Sequence, residues 1–318
     1  MEFGFGLPTR GPMATPDNLA VLARKADELG FGFISVSDHV VIPNRIASTY
    51  PYSESGEFAG GDAGECLEQL ITLTFLAANS ANVRLLTSVM VLPHRPPVLA
   101  AKMLSTIDVL SKGRLLLGCG IGWMREEFEA LGAPPFDERG VVGSDYIRIF
   151  KELWTSDNPT YNDTYASFSD IAFTPKPVQN PHPPIWVGGE SPPALRRAAT
   201  LGDKWFPICS NPRFPVSTVQ EYASYAERVR QYAQESGRDP NEIGFAFNAN
   251  WYDDQQAQIG RDGERKTFTG EPEQIADDVR SYEELGVTDL MLGLQGNTLD
   301  ETFVRLERFV ENVKPLVM

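Results

Sequence analysis

Strand-like and helix-like stretches alternate along this chain eight times, and that alternation limits the folds open to it. Glu2 to Leu7 alternates and ends at Pro8, as a first strand would; Thr15-Pro16-Asp17 then opens a helix that Gly30 closes. Seven more strands follow: Phe33 to Ser37, Val83 to Leu92, Arg114 to Gly118, Ile185 to Val187, Lys204 to Ile208, Ile243 to Asn250 and Asp289 to Leu294. Between them, helices are expected over 64–79, 96–111, 125–131 with 143–154, and 216–235. Further helices carry Ala194, Leu195, Ala198 and Leu201, open at Thr269-Gly270-Glu271-Pro272-Glu273, and run over 299–313. The stretches 40–63, 155–182 and 251–268 read as insertions, the second of them irregular. An open doubly wound sheet would require Gly-x-Gly-x-x-Gly after the first strand, and none stands there. Eight β-then-α repeats instead predict an α/β closed parallel barrel, a (β/α)8 TIM barrel with insertion loops, with residues 1–318 as one domain.

Charge and cysteine usage remove several classes of function. Acidic residues outnumber basic ones, 43 to 28, for a formal charge of −15, which argues against nucleic acid or an anionic membrane as partner. No apolar run approaches the roughly 20 residues of a membrane span, and the chain begins on a strand-like run without a charged-then-apolar leader. Cys66, Cys119 and Cys209 are scattered without metal spacing, and three histidines, His39, His94 and His182, leave little room for a metal centre. The expectation is a soluble cytoplasmic protein that binds no metal.

In a parallel barrel the chemistry lies at the C-terminal ends of the strands. The strand ends here are poor in paired carboxylates, so glycoside hydrolysis is excluded, and they offer no lysine for a Schiff base. They are instead glycine-rich, apolar and aromatic, which suits a large planar cofactor that carries the hard chemistry itself. Gly188-Gly189 follows a buried strand and Ser191-Pro192 opens a helix, so backbone N–H groups there could seat a phosphate. The same residues also suit an ordinary tight turn. Asp38-His39 is the best polar pair: His39 could carry a proton beside a cofactor ring, or Asp38 could cap a turn while His39 only packs. Trp123, Tyr50 and Tyr52, with Phe58, could wall an apolar substrate or merely close the barrel mouth. Arg125, Glu126 and Glu127 read as the solvated start of a helix, and His94 and His182, beside prolines, carry no signal.

Several stretches together resemble the bacterial luciferase-like group of flavin- and deazaflavin-dependent oxidoreductases. They are Ala23 to Phe31, Val36-Ser37-Asp38-His39, Leu86 to Val89 with Pro96 to Lys102, and Asp108 to Trp123. Pro175 to Gln179, the Gly188-Gly189 turn and Thr269 to Glu273 complete the match, in order and over nearly the whole chain. Within the group the chain looks most like members that use coenzyme F420. The resemblance implies a (β/α)8 barrel with the cofactor ring at its C-terminal rim. Gly188, Gly189 and Ser191 would contact the cofactor phosphate, and Ser88–Val89 would form a non-prolyl cis peptide backing the ring beside Gly120. His39 would be the ring-proximal histidine. Where the sugar-phosphate dehydrogenase branch carries a glutamate acid, this chain has Trp123, which favours a more apolar small-molecule substrate and leaves His39 as the named proton donor. The implied activity is hydride transfer with coenzyme F420. The alternatives are an FMN-dependent monooxygenase fed by a separate flavin reductase, and a non-catalytic flavin-binding protein. Group members are commonly homodimers, and nothing in the sequence fixes an interface.

Overall fold

The computed structural model describes residues 1–58, 64–260 and 262–317, so Gly60 and Gly61 of the 40–63 insertion lie outside the described residues. Eight parallel strands close on themselves: β1 (Glu2–Gly6), β2 (Phe33–Val36), β3 (Arg84–Thr87), β5 (Leu115–Gly120), β8 (Ile185–Gly188), β9 (Lys204–Phe206), β10 (Gly244–Ala249) and β11 (Val287–Leu292). Pairing of β3 with β5 and of β1 with β11 completes the ring, so the fold is a (β/α)8 barrel. A two-residue strand, β4 (Met90–Val91), also lies against β5. The expected third strand over 83–92 is thus split, and the split falls at a cis peptide between Ser88 and Val89. A second departure lies in the 155–182 insertion, where β6 (Tyr161–Asp163) and β7 (Ala166–Phe168) form an antiparallel hairpin.

The helices are α1 (Pro16–Glu28), α2 (Gln69–Ala78), α3 (Pro97–Leu110), α4 (Arg125–Leu131), α5 (Arg139–Thr155), α6 (Pro192–Leu201), α7 (Val219–Glu235), α8 (Pro272–Glu284) and α9 (Leu299–Arg308). Their starts follow capping chemistry. The Thr15 hydroxyl accepts from the Asn18 N–H at 3.3 Å with Pro16 at the first helical position, and Thr218 with Glu221 forms a capping box on α7. Among the described residues no helix is long and apolar enough to cross a membrane.

Because strand side chains alternate, each strand feeds two cores. One core lies between barrel and helices, where Phe5, Ile34, Leu117, Val187 and Phe247 meet residues such as Leu22, Leu104, Leu195 and Ile275. The other fills the barrel and consists of Phe33, Leu86, Leu116, Trp186, Phe206 and Ala246, with Val89 and Met291 packed on it. Two residues toward the N-terminal end, the same inward faces become charged. Arg84 pairs with Asp289 at 2.9 Å, and Lys204 pairs with Asp289 as well. Two residues the other way, they become small or polar: Ser88, Gly188 and Asn248, with Gly120 a further pair of positions along β5. The barrel is therefore plugged in the middle and open at its C-terminal end. Gly4 makes room for that plug, since a Cβ there would lie 2.3 Å from the Phe33 ring. Gly4→Ala should cost about 1–3 kcal/mol of stability through overpacking, measured by urea unfolding; an unchanged midpoint would show that Phe33 repacks freely.

Candidate functional site

The open end of the barrel holds a cavity of about 730 Å³, within the roughly 300–1,000 Å³ range of small-molecule sites. Its floor follows from the small residues at the strand ends. A Cβ at Gly120 would lie 2.8 Å from Val89 Cγ2, and one at Gly188 would lie 3.3 Å from Val89 Cγ1. The Val89 side chain thus rests in the space both glycines leave free, and the cis peptide that aims it there is the one the resemblance implied.

On the wall above β2, His39 is buried, with Nδ1 2.8 Å from Glu127 Oε2. The other oxygen of Glu127 accepts the N–H groups of Val40 at 2.7 Å and Val41 at 3.2 Å. Its neighbour Glu126 accepts from the Ala47 and Ser48 N–H groups and from the Ser48 hydroxyl. The sequence reading of 125–127 as a solvated helix start is therefore corrected: Glu127 is 1% exposed, and the two glutamates pin the loop after β2 onto α4. With Nδ1–H committed to Glu127, Nε2 is the ring nitrogen left for the cavity. His94 also lines this wall, its Nδ1 3.8 Å from Glu127 Oε1 and both ring nitrogens buried without hydrogen bonds. Burial pushes the His94 pKa down, so the ring is neutral.

Asp38 faces a different task. Its Oδ1 and Oδ2 each accept from Arg95 at 2.8 Å, and Oδ2 also accepts the Val91 N–H at 2.8 Å. That fork ties the end of β2 to β4, just beyond the cis peptide, so Asp38 positions the floor and His39. Arg95 is held in turn by Glu68, the N-cap of α2.

Tyr50, Tyr52, Phe58 and Trp123 come together, as the sequence suggested. Tyr50 packs on Tyr52 (5.6 Å between ring centroids), Phe58 (5.1 Å) and Trp123 (5.0 Å), and Phe58 packs on Trp123 (5.3 Å) and His39 (5.1 Å). These rings form an apolar wall beside His39. Burial raises the pKa of both tyrosines, so their phenols stay protonated.

Across the barrel lies the β8–α6 turn, where the sequence suggested a phosphate seat or an ordinary tight turn. Gly189 has φ 101°, a left-handed conformation that glycine tolerates, and Ser191 is the N-cap residue of α6 with no side-chain cap bond. Pro192 and Pro193 fill the first two helical positions and carry no N–H, and the Leu195 N–H bonds to the Ser191 carbonyl at 3.0 Å, so the first turn of α6 offers at most the Ala194 N–H. Two arginines on the cavity wall, absent from the sequence expectations, add positive charge here. Arg197 is 7% exposed and donates to Ser144 Oγ (3.1 Å) and the Gly140 carbonyl (2.7 Å), and Arg139 donates to the Gly122 and Phe136 carbonyls. Neither has a carboxylate ion pair among the described residues. Burial lowers both pKa values, yet a guanidinium keeps its charge. Positive charge on the cavity wall and the close backbone approach that Gly188 and Gly189 allow fit a phosphate-bearing cofactor.

Glu190, between the glycines and Ser191, was also missed. It is 1% exposed, accepts from the Ile208 N–H (2.8 Å) and Asn211 Nδ2 (2.6 Å), and burial pushes its pKa up to about 7. The signal for these residues was weak, because an arginine on the apolar stripe of α6 and a glutamate after a glycine pair look like surface residues until the turn folds.

A parallel barrel with an open, aromatic-walled cavity, a glycine turn at one strand end and a histidine held by a buried glutamate has the form of a barrel site for a planar cofactor. The model of the luciferase-like monooxygenase family matches residues 1–252, and the chain belongs to that family of flavin- or deazaflavin-dependent oxidoreductases. An uncharacterised protein of Mycobacterium tuberculosis (strain ATCC 25618 / H37Rv) is 30% identical over 301 residues, covering 92% of this chain and 93% of that protein. The FMNH2-dependent dimethylsulfone monooxygenase of Pseudomonas putida is 34% identical over 167 residues, 52% of this chain and 46% of that one. In fold, the chain is similar to the coenzyme F420-dependent tetrahydromethanopterin reductase of Methanopyrus kandleri, with a TM-score of 0.76 at 16% identity over 100% of this chain and 99% of that one.

A carboxyl whose folded pKa lies above its unfolded one keeps a proton that the unfolded chain has released. Glu190 therefore favours the folded state fully below about pH 4.5, and that contribution is lost as pH rises to about 7. Relative to Glu190→Gln, the native chain should lose on the order of 3 kcal/mol of stability across that window and hold a constant difference above it. Urea unfolding of both chains at several pH values measures this, and a pH-independent difference would count against a buried, proton-holding Glu190.

Proposed function

We propose that the chain transfers hydride between coenzyme F420 and a small organic substrate, with His39 as the group that moves the accompanying proton. His39 carries the reading: a buried imidazole, oriented through Nδ1 by Glu127, presents Nε2 to a cavity floored by Val89. Gly188, Gly189, Ser191, Arg139 and Arg197 would hold the cofactor phosphate, and Ser88, Val89 and Gly120 would support its ring. Bound there, the deazaflavin would supply the hydride chemistry. In the reducing direction His39 Nε2–H would donate a proton to the substrate heteroatom, with the ring held at Nδ1 by Glu127. Tyr50, Tyr52 and Trp123 exclude water and give the substrate an apolar wall. Asp38 acts through Arg95 and the backbone, as a positioning residue.

A second reading, a reduced-FMN monooxygenase partnered by a flavin reductase, is favoured by the 34% identity to the dimethylsulfone enzyme. Anaerobic calorimetry of the apoprotein with FMN and coenzyme F420, each oxidised and reduced, separates the two. Preference for coenzyme F420 is expected; preference for reduced FMN would overturn the hydride reading in favour of oxygen chemistry. With the preferred cofactor, His39→Ala should leave cofactor affinity intact and lower turnover by roughly 10²–10⁴-fold, the usual value of a lost acid–base group. Undiminished turnover would remove His39 from the mechanism.

A further inference from the structure

Arg10, on the turn after β1, has an unmet need on the cavity wall. Its guanidinium carbon lies 4.8 Å above the Phe58 ring, and Phe58 in turn touches His39 at 5.1 Å. Nη1 of Arg10 is buried without any hydrogen-bond partner, and Arg10 has no ion pair among the described residues. The nearby carboxylates of Asp38 and Glu127 are already taken by Arg95 and by His39 with two backbone N–H groups. A buried, unpaired guanidinium nitrogen is costly, and its planar fork matches a carboxylate. The anion it awaits is not the cofactor phosphate. Around the ring of strands β1 lies four strands from β8 in either direction, which puts Arg10 across the barrel from the phosphate seat.

We infer that Arg10 is the substrate-anchoring residue, and that the substrate is an organic acid whose carboxylate sits on Arg10 while its apolar body lies against Phe58, Tyr50 and Trp123. The inference rests on the proposed function in taking the His39 end of the cavity as the substrate end. It sharpens the expectation of an apolar substrate, because the walls are apolar and the anchor is charged. Arg10 places the substrate so that a carbon beyond the carboxylate faces the cofactor ring and its heteroatom faces His39 Nε2.

The test uses matched acid and amide pairs as probes: benzoate with benzamide, phenylacetate with phenylacetamide, and hexanoate with hexanamide. Calorimetry on the apoprotein and on the cofactor-loaded protein should show at least one acid binding about 10- to 100-fold more tightly than its amide, the range a charged hydrogen bond supplies. Arg10→Gln should abolish that contrast while leaving amide binding and cofactor affinity unchanged, and Arg10→Lys should retain part of it. Equal binding of every acid and its amide would overturn the inference, as would an acid preference that survives in Arg10→Gln. Cofactor affinity that falls with Arg10→Gln as far as acid binding does would assign the anion to the cofactor tail instead. Because the acid–amide contrast is also read in the apoprotein, its loss is distinguishable from failure of the protein to bind coenzyme F420.

Discussion

A change of side-chain size along the inward faces of the strands governs the rest of this structure. Phe33, Trp186 and Phe206 fill the middle of the barrel, and two to four residues beyond Leu86, Leu116 and Trp186 the same faces carry Ser88, Gly120 and Gly188. Close packing leaves no voids in the middle layer, whereas hydrogen and hydroxymethyl side chains at the rim leave a cavity by construction. The branched Val89 side chain enters that layer, and it fits because the glycines on β5 and β8 make way for it. Floor, cavity and seat for a planar group thus share one cause.

The walls depend on carboxylates spent as structural acceptors. Glu127 and Glu126 have no helix partner to satisfy; they take backbone N–H groups from a loop that has few of its own hydrogen bonds. Asp38 does the same for Val91 with Arg95 as counter-charge. A loop bearing His39 could be mobile if left to itself. Fastened by charge-assisted bonds to Glu127 near His39 and to Glu126 further along, it carries an imidazole held at Nδ1, as proton transfer needs.

The barrel itself was legible, because strand period, helix period and glycine stops agree at every repeat. So were the residues defined by backbone needs: the glycines at 188 and 189, and Ser191 at a helix start. What stayed hidden were partnerships between residues far apart in sequence. Glu127 lies 88 positions from His39, and nothing local distinguishes it from its neighbours Glu126 and Arg125 at the same helix start. Arg95 and Arg10 look like loop cations until Asp38 and Phe58 are placed beside them. Short strand pieces were also blurred, since the run from Val83 to Leu92 reads as one strand and only the cis peptide divides it.

The charge distribution follows the same division between local and global. The chain carries a formal charge of −15, yet Arg10, Arg139 and Arg197 line its cavity, with no ion pairs among the described residues. The negative exterior is screened within about 8–10 Å at physiological salt. Charges inside a partly desolvated cavity are screened far less, so the local arginines decide what the cavity attracts. Arg197 lies on α6, Arg139 bonds to the Gly122 carbonyl, and Arg10 follows β1, across the ring of strands from β8, with the rings of Tyr50, Phe58 and Trp123 on the wall of the same cavity. In such a cavity the spacing of a ligand's charged groups bears on binding as much as its shape does.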